Sequence, residues 1–90
     1  MVGDRNMPYI PQDARKIFDK HIREIARNLQ TPGELNYVIS KIINLLLVHK
    51  GVNYNQLNEI VGAMECAKLE LYRRIAVPYE DEKIKSNGDI

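Results

Sequence analysis

Tryptophan is absent from the 90-residue chain, and cysteine occurs once, at Cys66. A lone cysteine cannot close a disulfide within the chain, so no covalent staple supports the fold and a reducing, cytoplasmic compartment is the expected one. Neither sign of charge dominates: 13 Lys and Arg stand against 12 Asp and Glu, a formal net charge of +1. Nucleic-acid binders usually carry a basic stripe and membrane-anchored proteins a polybasic cluster, so neither nucleic acid nor membrane is an expected partner. Long hydrophobic runs are missing as well. The longest, Ile42 to Val48, is interrupted by Asn44 and falls far below the ~20 residues that span a bilayer. The first seven residues, Met1-Val-Gly-Asp-Arg-Asn-Met7, hold no apolar secretory core, which suits a prokaryote-like cytoplasmic setting.

Signatures of catalysis are equally sparse. No Gly-rich phosphate loop, no grouping of His, acid and nucleophile, and no calcium-loop pattern occurs. His21 and His49 are isolated, and Glu24, one turn after His21, makes only a weak ligand pair. No cofactor and no metal site is expected.

What the chain does have is helical periodicity in three long segments, about 11–29, 32–50 and 54–76. In the first, Ala14, Ile17, Phe18, His21, Ile22, Ile25 and Leu29 fall on one stripe, with charged residues around the rest. The second opens on Thr31-Pro32-Gly33-Glu34, a capping box with proline in the first helical position, and Gly51 supplies a left-handed stop. Asn53 caps the third, whose apolar positions are Leu57, Ile60, Val61, Met64, Ala67, Leu71 and Ile75. Pro78 disfavours helical geometry at Val77, so this helix is expected to end near Ala76. The fold class is therefore all-α: a three-helix up-down-up bundle in a single domain, with an extended N-terminal arm (1–10) and a short charged C-terminal tail (78–90). A chain this short buries only about 60–65% of its unfolded surface, which favours oligomers.

Two features of the helical wheels support self-association. Helix two has its core stripe in Leu35, Val38, Ile39, Ile42, Leu45 and Leu46, yet Tyr37, Leu47 and Val48 point elsewhere, beside the uncharged Asn36, Ser40 and Asn44. A helix apolar on all sides is usually covered on all sides, and a second copy is the expected cover. On helix three, Gly62, Ala63 and Cys66 cluster opposite the apolar stripe. Glycine inside a helix costs roughly 1 kcal/mol relative to alanine, so close approach of another helix is a reason to keep it. The candidate self-association residues are thus Tyr37, Ser40, Asn44, Leu47, Val48, Gly62, Ala63 and Cys66.

Lys68 interrupts the apolar stripe of helix three, with Glu65 at i−3 and Tyr72 at i+4. The bland reading is snorkelling, in which the stem covers apolar surface and the ammonium reaches water or Glu65. The sharper reading is an inter-helix polar pocket formed by Glu65, Lys68 and Tyr72 with Asn36, Asn58 or His21 opposite.

Several strings are distinctive: Met7-Pro-Tyr-Ile-Pro11; Gly33-Glu-Leu-Asn-Tyr37 followed by Ile39; and Asn58-Glu59 through Gly62-Ala-Met-Glu-Cys-Ala-Lys-Leu-Glu-Leu-Tyr-Arg-Arg74 to Pro78-Tyr-Glu-Asp81, Lys83-Ile84 and Asn87-Gly-Asp89. On these the chain resembles a family of short uncharacterised prokaryotic and phage proteins, a domain of unknown function. Residues Met1 to Asn6 look like an extension of it, and Met64 stands where the family is expected to carry Leu, a volume-conserving change. The resemblance implies a small all-helical fold and transfers no activity. A remoter similarity is to all-α nucleotide pyrophosphohydrolases, whose magnesium sits on paired helical carboxylates. Their Glu-x-x-Glu pattern is missing, since Glu59, Glu65 and Glu70 are spaced six and five apart. The expected function is a non-catalytic interaction or assembly module that self-associates through helices two and three. The alternative is a small-ligand binder or magnesium-dependent pyrophosphohydrolase-like enzyme using the polar pocket.

Overall fold

The computed structural model describes residues 10–90. Among the described residues every regular element is helical and no strand occurs: α1 (Gln12–Asn28), α2 (Pro32–Lys50), α3 (Tyr54–Leu71), a π-helical segment (Tyr72–Ala76) and α4 (Val77–Asn87). The last three run on without a break, so they form one rod and the described residues make three helices. Of the expected N-terminal arm (1–10), only Ile10 is among the described residues. The chain divides into two compact units, one ending at Leu46 and the other beginning at Leu47.

The first unit holds α1 and most of α2. Pro11 precedes α1 in an extended conformation, and its carbonyl accepts bonds from Ala14 N (3.1 Å) and Arg15 N (3.3 Å). Asp13 lies in the first turn and Arg27 in the last, the order that complements the helix dipole. At the other end, the Asn28 side-chain amide donates to the Glu24 carbonyl at 2.9 Å, and Leu29 leaves the helix in extended geometry. The turn into α2 is held by reciprocal capping: Glu34 N donates to Thr31 Oγ1 at 3.1 Å, while Glu34 Oε1 accepts from Thr31 N at 3.1 Å and from Gln30 N at 2.6 Å. Three backbone donors that a helix start leaves unpaired are thereby satisfied. Ile22, Ile25, Ala26 and Leu29 from α1 then meet Leu35, Val38 and Ile42 from α2 along an apolar cleft of about 290 Å³. These are the one-turn spacings that give each helix a single apolar stripe.

The second unit holds the end of α2 and the rod. Gly51 takes φ +90° and its N–H bonds Leu47 O at 2.7 Å, a left-handed stop that any side chain would strain. Asn53 caps α3 by accepting from Gln56 N at 2.9 Å. The expected end near Ala76 and the charged tail over 78–90 are both corrected here, because the chain stays helical through Pro78 to Asn87 and stops at Gly88, φ +87°. Proline inside an α-helix lacks the N–H that would bond the carbonyl four residues back, and its ring crowds that same carbonyl, here Arg74's. The π segment lies just upstream: Val77 N donates to Tyr72 O, five residues back, which widens the turn in front of the ring. Val77 keeps helical angles (φ −63°, ψ −50°) although proline follows.

No described residue is buried. Leu29, Val38, Ile43, Leu47 and Ile60 are half-buried. Val48 is 78% exposed, and Tyr37, Tyr54, Tyr72 and Tyr79 are each more than half exposed.

Candidate functional site

Helix periodicity brings Glu65 and Lys68 to one face of α3, and they form an ion pair at 3.2 Å. Both side chains stay open to water, at 54% and 57% exposure. A pair so exposed is screened and contributes little, about 0–1 kcal/mol. Tyr72, four residues on, begins the π segment with its ring more than half exposed, and Asn58 is exposed two turns before Glu65. Asn36 lies on α2 in the other unit, where its Oδ1 accepts from Ser40 Oγ at 3.2 Å. That bond engages two of the uncharged residues on the second face of α2 with each other. Replacing Lys68 by Met should accordingly shift unfolding free energy by less than about 0.5 kcal/mol, as expected of exposed surface changes, when measured by urea titration.

Of the residues assigned to self-association, Tyr37, Ser40, Asn44 and Val48 are exposed on α2, whereas Leu47 is half-buried. Gly62, Ala63 and Cys66 are exposed on α3. A Cβ built on Gly62 would meet nothing within 4 Å, so the space beside it is open.

A further charged group, centred on Glu70, lies where α3 meets the π segment. Glu70 is only 16% exposed and accepts from both arginines of the π segment: Arg73 Nη2 bonds Oε2, and Arg74 Nε bonds Oε1 at 2.6 Å. The acid-before-base spacings i,i+3 and i,i+4 that create it are plain in Glu70-Leu-Tyr-Arg73-Arg74. The arginines keep 68% and 59% of their side-chain surface exposed, so they tie the carboxylate down while facing outward. Further along α4, the Lys83 ammonium lies 5.4 Å from the centre of the Tyr79 ring.

Among the described residues no group of three or more His, Cys, Asp or Glu is placed to hold a metal ion, and no helix is long and apolar enough to cross a membrane. No curated protein and no solved structure matches the chain. One family does: residues 7–90 match the Domain of unknown function (DUF6899), and the chain belongs to that family.

Proposed function

We propose that the protein is a small non-catalytic helical module whose role is assembly, built from copies of itself through the outer faces of α2 and α3. The observation that carries this reading is the lack of any buried side chain among the described residues of a chain that is 44% hydrophobic. Ordering backbone costs about 1–2 kcal/mol per residue, and helices without an apolar partner do not repay it in water. Further copies supply the missing cover at a stoichiometry the sequence itself guarantees. Cytoplasmic residence in a prokaryotic setting belongs to the same proposal, supported by the single cysteine.

Sedimentation of the purified chain at micromolar concentration tests the reading and should give a mass above that of one 10.4 kDa chain. Gly62→Leu should then weaken assembly while leaving helicity unchanged, because the added side chain fills the open space beside α3. A single-chain mass at every concentration would end the assembly reading. No specific observation favours the ligand-pocket alternative, since the Glu65 and Lys68 pair at its centre is solvent-exposed.

A further inference from the structure

We infer that Asn87 is a self-modification site: the backbone nitrogen of Gly88 closes on its side-chain amide, and water opens the resulting cyclic imide to a carboxylate at the end of α4. The inference stands apart from the assembly reading, since the chemistry needs one chain and water.

Two asparagines of the described residues end helices, and they differ in what surrounds them. Asn28 is the last residue of α1 and Asn87 the last of α4. The Asn28 amide donates to the Glu24 carbonyl at 2.9 Å, and Leu29 follows it. The Asn87 side chain makes no hydrogen bond among the described residues, and glycine follows it. No other asparagine of the chain precedes glycine. A side chain on the following residue crowds the backbone nitrogen, whereas glycine lets that nitrogen approach the amide carbon closely.

The helix end sets the pace. Gly88 N–H donates to the Ile84 carbonyl at 2.8 Å, and this bond holds the proton that the nitrogen must lose before it attacks. Terminal turns of helices open at little free-energy cost, so the step proceeds from the frayed end. There the Gly88 nitrogen gives its proton to water or hydroxide and attacks Asn87 Cγ. The bond from Cγ to the side-chain nitrogen breaks, that nitrogen takes up a proton and leaves as ammonia, and a five-membered imide joins the two residues. Water then adds at one of the two imide carbonyls. Cleavage at Cγ leaves aspartate in an ordinary chain, and cleavage at the main-chain carbonyl leaves an isoaspartyl link that runs through Cγ. One water enters and one ammonia leaves, with no change of oxidation state.

Either product is a carboxylate, so the formal net charge of +1 is cancelled. The new charge meets the negative end of the α4 dipole, which disfavours it. The isoaspartyl link also adds a methylene to the backbone of the turn that closed on Ile84. The stop of the rod therefore loosens once the step has occurred.

The test holds the full chain in mildly alkaline buffer, digests samples over time at acid pH and reads amide-to-carboxylate conversion at each asparagine by mass spectrometry. Asn87 should convert at least about tenfold faster than Asn28, because glycine leaves its nitrogen uncrowded. Gly88→Ala should slow conversion at residue 87 at least about tenfold for the same reason. The parent unfolded in guanidinium chloride should convert faster than the folded chain, because the bond to Ile84 is gone. Amide hydrogen exchange across residues 85–88 should be faster in the isolated product than in the parent. Equal rates at Asn87 and Asn28 in the folded chain, or a Gly88→Ala chain that converts like the parent, would overturn the inference. So would a folded chain that keeps Asn87 intact while the unfolded chain loses it, since the helix end then stays closed.

Discussion

Pro78→Ala should stabilise the chain by about 2 kcal/mol and rotate α4 relative to α3. Proline in a helix interior is about 3 kcal/mol less favourable than alanine, and part of the gain, about 0.4–1 kcal/mol, is returned because the unfolded chain regains freedom. With an N–H at residue 78 and no ring against the Arg74 carbonyl, the reason for the wide turn at Tyr72–Ala76 disappears. Reverting to α geometry takes one residue out of that turn, and each residue is worth roughly 100° of rotation. Urea unfolding followed by circular dichroism reads the first effect, and the midpoint should rise; the distance between spin labels placed on α3 and α4 reads the second and should change. A lower midpoint would show that proline's fixed φ matters more to this rod than its missing hydrogen bond.

Ile42→Asp should cost more than about 3 kcal/mol, a large share of the total stability of a domain of this size, which is of order 5–13 kcal/mol. Ile42 shares the apolar cleft with Ile22, Ile25 and Val38 but is 55% exposed in the single chain. Half-covered apolar contact accounts for only about 1 kcal/mol of such a loss. A large loss in the urea midpoint therefore reports cover from outside the chain, and a loss near 1 kcal/mol reports its absence. Lys41→Ala, at a neighbouring exposed position, is the control and should change little.

Local chemistry was legible in the sequence wherever a few adjacent residues decide it. Thr31 and Glu34 satisfy each other's backbone donors because three residues of spacing make that unavoidable once α2 starts, and Gly51 and Asn53 bracket the next start for equally local reasons. Pro78 misleads because the rule against helix before proline expresses a steric preference of Val77 alone. The π turn upstream relieves the crowding of the proline ring on the Arg74 carbonyl while Val77 itself stays helical, and no residue type from Tyr72 to Ala76 announces such a turn. The Glu65 and Lys68 contact follows from i,i+3 spacing. Whether Asn36 joins them depends on tertiary distance, on which helical periodicity is silent.

The distribution of tyrosines along the helices has an optical consequence. Tyr37 lies on α2, Tyr54 opens α3, Tyr72 opens the π segment and Tyr79 lies on α4 beside Lys83, and all four rings face water for more than half of their surface. With no tryptophan in the chain to drain their excitation or swamp their signal, these phenols and that of Tyr9 are its intrinsic fluorophores. Amphipathic rings of this kind gain most by placing the apolar edge in an interface and the hydroxyl at its rim. Association of copies through the outer face of α2 would immobilise Tyr37, raising the anisotropy of its emission. A Tyr37→Phe chain, which loses the one tyrosine of α2, would isolate that helix's share of the signal without any added label.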